Sequence, residues 1–257
     1  MVKFITKKGV NKHLNNKKNI KSLLFTGSTN DDLKKLILKG KDVDAVISEK
    51  QFKGRGRLTR KFHSPTFSGI YISIRLKNSF NFVDVGKITT CVAVLVCRAI
   101  ESLYNVKLNV KWVNDIFLNG KKVAGILAES VINKGKIDSV IIGIGLNVYD
   151  KKFPLELKEI ATNLEKESGK KVDRNIIVAR ILENLDLNYS LIKGEDFINE
   201  YKSRLFILDK KVTVTSGENS FEAVCKDVTA DGKLIVQRDE ELIEISVGDV
   251  SVKPSKN

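Results

Sequence analysis

Residues 50–61 read Lys-Gln-Phe-Lys-Gly-Arg-Gly-Arg-Leu-Thr-Arg-Lys, a run with six basic side chains and no acidic one. Gly54 and Gly56 alternate with arginines, and glycine lets the backbone N–H groups of a loop approach a ligand closely. Arginine side chains add charge-assisted donors that suit carboxylates and phosphates. The run is typical of a loop that closes over an anion, but by itself it is equally typical of a solvated or nucleic-acid-binding loop.

The flanking sequences favour the ligand-binding interpretation of this loop. Residues 44–48, Asp-Ala-Val-Ile-Ser, are typical of a short buried strand. Residues 69–76 alternate between polar and apolar side chains like a second strand. A loop held between two strands lies over the end of a sheet, where proteins with helices and sheets place their ligands.

Composition limits the classes of protein to which the chain can belong. Its 257 residues suffice for one main domain and a small second one. No apolar run is long enough for a membrane span or a secretory signal, so we expect a cytoplasmic protein without a membrane partner. Cys91, Cys97 and Cys225 are predicted to be core thiols. The two histidines, His13 and His63, argue against a histidine-based zinc site or a serine triad.

The net charge of +14 is concentrated in two segments. Residues 1–21 carry seven lysines and residues 50–61 carry six basic residues, and neither segment contains an acid. A broad basic face for nucleic acid is therefore not expected, and aromatic residues are not interleaved with the basic ones as base stacking requires. We predict a basic arm at 1–19, disordered or loosely held as a strand.

The first half of the chain is predicted to alternate between strands and helices. Ser28, Thr29 and Asn30 are good N-cap residues for a helix over 31–39 that ends at Gly40. A long apolar helix is expected over 83–104. Asn119-Gly120 is a strong hairpin-turn signal inside a predicted meander. The expected strands are 21–25, 108–112, 115–118, 123–132 and 138–147.

The second half is predicted to change from helices to short strands. Residues 150–173 are expected to connect the two parts with a short helix, followed by helices over 173–191 and 194–205. Four short strands then follow, at 211–215, 221–225, 234–237 and 242–245, with separators that include Gly217 and Gly248-Asp249. We predict three parts: the arm at 1–19, a catalytic domain at 20–207 and a small all-β barrel at 208–257.

Three blocks in order resemble the biotin–protein ligase family over about residues 20–254. They are Lys53-Gly-Arg-Gly-Arg57 with Arg60-Lys61, then Lys111-Trp-Val-Asn-Asp115 with Lys122-Val-Ala-Gly-Ile-Leu127, then Gly143-Ile-Gly-Leu-Asn147. The resemblance implies an α+β fold. Its catalytic domain would be like that of class II aminoacyl-tRNA synthetases, with a mixed sheet flanked by helices, and its C-terminal barrel would be like a Src-homology-3 domain.

The resemblance also implies an activity. Biotin would be joined to ATP as biotinyl-5′-AMP with Mg²⁺ present, and the biotinyl group would pass to a lysine of the biotin carboxyl carrier domain of acetyl-CoA carboxylase or a related carboxylase. Family members often form homodimers through sheet edges. Because this sequence has only a short basic arm before residue 20, we expect no repressor function and no nucleic-acid partner.

The site residues follow from the matching motif positions. Lys122 and Arg57 resemble the residues that hold the biotin carboxylate and the α-phosphate. The other expected biotin-binding residues are Ser28, Thr29, Asn30, Gln51, Gly54, Arg55, Gly56 and Gly125. The other expected nucleotide-binding residues are Arg60, Phe62, Asn114, Asp115 and Asn147, where Asp115 is also a candidate magnesium ligand and Phe62 replaces a tryptophan that stacks on adenine in many members.

Two alternatives remain at this point. A lipoate–protein ligase would share the fold and the adenylate chemistry, although its motifs differ from the Gly-Arg-Gly-Arg block. A nucleic-acid-binding module would use the basic arm and loop, and its affinity would fall steeply with salt. Trp112 is expected to lie in the core rather than to contact a ligand.

Overall fold

The computed structural model describes most of the chain as seven helices and twelve strands in two sheets. The described residues are 4–57, 60–77, 84–149, 152–187, 196–216, 219–246 and 248–252.

The larger sheet has seven strands in the order β1-β2-β3-β7-β6-β5-β4. Its β1 and β2 strands pair in parallel and its other neighbours pair antiparallel, so the sheet is mixed, as predicted. Its strands are β1 Ile20–Leu23, β2 Ala45–Ser48, β3 Gly69–Lys77, β4 Leu108–Lys111, β5 Asp115–Leu118, β6 Lys121–Asn133 and β7 Lys136–Asn147.

Helices cover this sheet, and the longest of them is the predicted apolar helix. That helix, α3, spans Asp84–Glu101 and packs against α6 and α7. The predicted helix starts at Val83 and at Gly194-Glu195 lie outside the described residues. The helices are α1 Lys7–Asn11, α2 Thr29–Leu38, α3 Asp84–Glu101, α4 Leu155–Lys158, α5 Leu164–Ser168, α6 Arg174–Leu187 and α7 Asp196–Arg204.

The smaller sheet is antiparallel, in the order β11-β10-β9-β8-β12. The four predicted strands are present, but β12 was not predicted, because Gly248-Asp249 was interpreted as a separator. Val250 is buried and pairs with Val214 on β8, so its packing outweighs the turn signal of Gly248-Asp249. The strands are β8 Lys211–Ser216, β9 Asn219–Val228, β10 Leu234–Arg238, β11 Glu241–Ile245 and β12 Asp249–Val252. The α+β prediction is confirmed.

Tight turns shape the β5–β6–β7 meander as expected. Asn119 and Gly120 have φ values of 49° and 77°, and Lys134 and Gly135 have 48° and 76°. Two consecutive residues with positive φ match the twist of a hairpin. The turns fix the register that aligns the glycines of β6 and β7, where Gly125 pairs with Gly145.

The expectation of a disordered or loosely held N-terminal segment is wrong for the described residues 4–19. Ile5 and Val10 are buried, and α1 packs against α6. The Ile5 N–H donates to Glu49 Oε1 at 2.6 Å. Two apolar side chains and one buried acceptor therefore order a segment whose lysines suggested an arm.

The expected core residues are buried. Cys91, Cys97 and Cys225 are free thiols in the interior, where burial raises the pKa of each to about 12. Trp112 is 2% exposed, and its Nε1–H donates to the carbonyl oxygen of Gly232 at 2.8 Å. None of the described helices is both long and apolar enough to cross a bilayer.

Candidate active site

A cavity of about 540 Å³ lies over the glycine-rich strands β6 and β7. Gly143 lets Asn30 approach the sheet, because a Cβ on it would lie 2.5 Å from Asn30 Oδ1. Gly145 accommodates the Phe62 ring, which a Cβ there would strike. Two protein side chains therefore lie close to the backbone of β7 at these glycines.

Residues 53–57 and 60–62, called here the arginine loop, fold back on themselves above the cavity. The Phe62 N–H donates to Gly54 O at 2.9 Å, and the Gly56 N–H donates to Arg60 O at 2.7 Å. Position 54 has no room for a side chain, because a Cβ on Gly54 would lie 2.7 Å from Phe62 O. The Gly56 N–H is thus used inside the loop rather than presented to an anion.

One wall of the cavity is a network of buried polar side chains at the start of α2. Ser28 is the N-cap residue but makes no side-chain cap bond. Gln51 acts instead, because its Oε1 accepts from Thr29 N at 2.9 Å and from Thr29 Oγ1 at 3.0 Å. The Gln51 Nε2 donates to Ser64 Oγ at 3.3 Å. These bonds fix the orientation of the Gln51 amide at the cavity wall.

Charged groups gather at the opposite side. Lys122 Nζ lies 2.6 Å from Asp115 Oδ1, and their side chains are 33% and 16% exposed. The Arg57 guanidinium lies 5.7 Å from the centre of the Trp112 ring. Burial lowers the pKa of Arg57, while the nearby Asp115 and Asp249 act in the opposite direction. Desolvated cations of this kind interact strongly with an entering anion.

The far end of the cavity is apolar and was missed at the sequence level. Phe153, Leu157 and Ile160 line it, from a region expected only to connect two domains. Asn147 is also there, and its Nδ2 donates to Thr162 O at 3.1 Å. Spaced apolar residues in a loop-rich region gave no periodic signal that would have identified this wall.

The C-terminal sheet closes another side of the cavity through Gly248, Asp249 and Ser251. Arg60 NH2 lies 2.6 Å from Asp249 Oδ2, so the arginine loop contacts β12 directly. No sequence signal indicated this contact, because residue 249 was assigned to a separator.

The structure brings almost all the predicted site residues together. Asn114 Nδ2 donates to Ile126 O at 2.8 Å, which holds its side chain against β6. Gly54 is buried within the arginine loop and does not line the cavity. Those that line it are Ser28, Thr29, Asn30, Gln51, Arg55, Gly56, Arg57, Arg60, Phe62, Asn114, Asp115, Lys122, Gly125 and Asn147.

Asp115 is the predicted metal-binding candidate, and its surroundings limit the kind of site it could form. Within the described residues, no group of three or more histidine, cysteine, aspartate or glutamate side chains is arranged to hold a metal ion. A single carboxylate beside a cavity fits Mg²⁺ carried in on phosphate oxygens, because Mg²⁺ commonly takes one or two protein carboxylates together with substrate phosphates.

Two family profiles match this chain, one after the other along the sequence. The profile of the Biotin/lipoate A/B protein ligase family matches residues 23–147, and that of the biotin protein ligase C-terminal domain matches residues 207–253. The biotin–[acetyl-CoA-carboxylase] ligase of Mycobacterium tuberculosis is 29% identical over 238 residues, covering 88% of this chain and 85% of that protein.

Two further matches extend the comparison. The bifunctional ligase/repressor of Bacillus subtilis is 31% identical over 217 residues, covering 80% of this chain but only 65% of that protein. The biotin protein ligase of Aquifex aeolicus, solved in complex with biotin and ATP, is 28% identical with a TM-score of 0.77, covering 93% of this chain and 100% of that one. With both family profiles matched in order and the fold shared throughout, the chain belongs to the biotin protein ligase family.

Proposed function

We propose that the protein is an ATP-dependent ligase that activates biotin as biotinyl-5′-AMP and transfers the biotinyl group to a lysine of a biotin carboxyl carrier domain. The observation that carries this proposal is the Lys122–Asp115 pair inside a cavity that Arg57 and Arg60 also line. The Aquifex relative, whose structure contains biotin and ATP, supports the choice of substrates.

The polar wall suits the ring system of biotin. Thr29 and Gln51 offer a hydroxyl and an amide group whose directions the network fixes in advance, and Ser28 adds a hydroxyl to the same wall. Such a cavity rejects an acid that lacks the matching donors and acceptors. The polar groups of the cavity wall would lose water on binding this acid and gain no hydrogen bonds in return. Asn30, Arg55 and Gly56 would close the ring end beside Gly125, and Gly54 would act from within the loop, where its missing side chain lets Phe62 O come close.

The first step joins two anions. A carboxylate oxygen of biotin attacks the α-phosphorus of ATP, and the bond from that phosphorus to the bridging oxygen breaks to release pyrophosphate. Two unit charges about 4 Å apart repel by roughly 4 kcal/mol at an effective dielectric constant of 20. Lys122 and Arg57 would offset this repulsion and hold the reacting groups in line. Asp115 orients the Lys122 ammonium beforehand.

The second step needs no nucleophile from the protein. The neutral amine of the carrier lysine attacks the acyl carbon of biotinyl-5′-AMP, the bond to the phosphate oxygen breaks, and AMP leaves with the negative charge. The amine proton passes to solvent or to a base. The arginine loop would keep water away from the mixed anhydride until the carrier arrives.

The nucleotide would occupy the remaining volume. Phe62 and the apolar end would contact adenine, Asn147 would read its edge and Arg60 would contact a phosphate, with Asn114 and Asp115 supporting the phosphates and their Mg²⁺. The ion would supply charge neutralisation when bound.

A cytoplasmic location and pairing of two copies through sheet edges stay as predictions.

Biotin-dependent exchange of pyrophosphate into ATP tests the proposal, with lipoate as a parallel acid. We expect exchange with biotin only, and a loss of about 100-fold or more in Lys122→Ala, the size seen when one charge-stabilising donor is removed. Lys121→Ala is the matched control, because Lys121 pairs with the exposed Glu159 at 3.6 Å. Exchange with lipoate alone, or full activity of Lys122→Ala, would contradict the proposal.

A further inference from the structure

Glu129 connects the arginine loop to the polar wall of the cavity, although it does not line the cavity itself. It lies on β6 four residues after Gly125, and therefore on the same face of that strand. Its carboxylate accepts hydrogen bonds from Asn30 Nδ2 and, at 3.3 Å, from the Arg55 guanidinium. The same guanidinium donates to Asp31 Oδ1 at 2.7 Å.

Asn30 extends this connection towards the site. Because its Nδ2 donates to Glu129, its Oδ1 faces the fully buried Ser73, whose hydroxyl donates to it. The Ser73 hydroxyl also lies 2.7 Å from Thr29 Oγ1, and Thr29 donates to Gln51. The orientation of one amide thus depends on a carboxylate outside the cavity.

We propose that Glu129 is a positioning residue that holds the arginine loop over the cavity and orients the Asn30 amide, an inference that deepens the proposed ligase function and rests on it. A carboxylate suits both tasks, because it offers two acceptor oxygens and a negative charge facing Arg55. Glu129 acts through these neighbours on the retention of biotin, and leaves the chemistry at Lys122 unchanged.

The solvent exposure of the side chains around Glu129 indicates which measurements will respond when Glu129 is replaced. The side chains of Arg55, Asp31 and Glu129 are 43%, 41% and 37% exposed. Exposed ion pairs contribute little to the free energy of unfolding of a whole domain. The contact therefore changes the local order of the loop rather than the melting temperature, so digestion and kinetics report on it.

Two substitutions separate the two tasks. Glu129→Gln keeps an acceptor for Asn30 Nδ2 and removes the charge that faces Arg55, whereas Glu129→Ala removes both. We expect the KM for biotin to rise about threefold in Glu129→Gln and about tenfold in Glu129→Ala, with kcat for exchange within about twofold of the parent. Glu244→Gln is the control, because Glu244 forms an exposed pair with Lys233 at 3.0 Å.

Limited trypsin digestion supplies a readout that does not need activity. We expect faster cleavage after Arg60 and Lys61 in both Glu129 variants than in the parent, with or without biotin and ATP, since Glu129 holds the loop even in the ligand-free protein. In a double-mutant cycle, Arg55→Gln and Glu129→Gln should raise the KM for biotin less than additively.

The possible failures are distinguishable. An unchanged KM and unchanged digestion in Glu129→Ala, or fully additive effects in the cycle, would overturn the positioning role while ligase activity stands. A fall in kcat without a change in KM would also overturn it. If the parent shows no biotin-dependent exchange, the proposed function fails, and digestion of the ligand-free proteins still decides whether Glu129 holds the loop.

Discussion

Two ion pairs of nearly equal length hold the chain around the basic run 50–61. One lies at Glu49, called here the base of the run, and is buried, whereas the other lies at Arg60, called here its tip, and is exposed. At its base, Glu49 Oε2 lies 2.7 Å from Arg174 NH1, with side chains 2% and 0% exposed. At its tip, Arg60 NH2 lies 2.6 Å from Asp249 Oδ2, with side chains 64% and 26% exposed. Distance alone therefore does not show what an ion pair contributes, whereas burial and further partners do.

The base is held by more than one contact. Arg174 NH1 also donates to Gly69 O at 2.9 Å, its guanidinium lies 5.2 Å from the centre of the Tyr149 ring, and Glu49 Oε1 accepts from Ile5 N–H. A buried charge that loses its partner is strongly destabilising. The tip instead faces water, where a phosphate can displace a carboxylate at small cost. We infer that the Arg174–Glu49 pair stays formed when a ligand binds, whereas Arg60 can exchange Asp249 for a phosphate.

The largest expected effect is at the base. Arg174→Met should lower the free energy of unfolding by about 3–5 kcal/mol, because it leaves Glu49 buried without its cation. Urea unfolding measures the change. Arg180→Met, on the same helix with a 45% exposed side chain and a 3.7 Å pair to Glu183, should change it by less than about 1 kcal/mol. Equal losses in the two variants would remove the distinction between buried and exposed pairs.

The second prediction concerns Gly145 on β7, which forms the floor of the cavity beneath the Phe62 ring. Gly145→Ala should lower kcat/KM by about tenfold, since the added methyl displaces the Phe62 ring at the end of the arginine loop. Steady-state exchange measures it. Gly27→Ala is the control, because a Cβ there meets nothing within 4 Å. Full activity of Gly145→Ala would mean that Phe62 moves freely, and that the floor does not position the loop.

The tip should affect binding more than stability. Arg60→Ala is expected to raise the KM for ATP about fivefold and to change the free energy of unfolding by less than about 1 kcal/mol. Asp249→Asn should change unfolding as little and should not raise that KM, because it frees Arg60 for the nucleotide. A large loss of stability in either variant would show that the tip is structural, like the base.

The smallest effect concerns His63, which follows the loop. Burial lowers the pKa of His63 below its usual value of 6.5. Between the lowered pKa and 6.5 the unfolded chain binds more protons than the folded one, so stability rises with pH there and is lost as pH falls below about 6.5. Unfolding midpoints at pH 7.5 and 5.5 should differ less in His63→Gln than in the parent. An equal pH dependence in both proteins would contradict this.

Local signals predicted most of the fold and of the site. The hairpin turns, the apolar helix and the glycine-arginine loop depend on residues close together in sequence, and the structure contains each of them. The motif positions likewise led to residues that line one cavity, although their roles towards ligands stay as proposals. Gly54 is the exception, because it is buried inside the arginine loop, where Phe62 O lies too close for a side chain.

The features that were missed depend on partners far apart in sequence. Ile5 is ordered by Glu49, which lies 44 residues away, and the Arg60–Asp249 pair joins residues 189 apart. No periodicity in the chain encodes such contacts. The role proposed for Glu129 is of the same kind, since its partners Asn30 and Arg55 come from other elements.

The bond between the Trp112 indole and the carbonyl of Gly232 has a consequence for anyone who divides this chain. A fragment that stops before residue 208 would expose an indole donor that the intact protein pairs in its interior, and would lack the Asp249 and Ser251 side of the cavity. Grafting the C-terminal sheet of a relative would succeed only where that donor again finds an acceptor. The unit of engineering is therefore the pair of sheets, not either one alone.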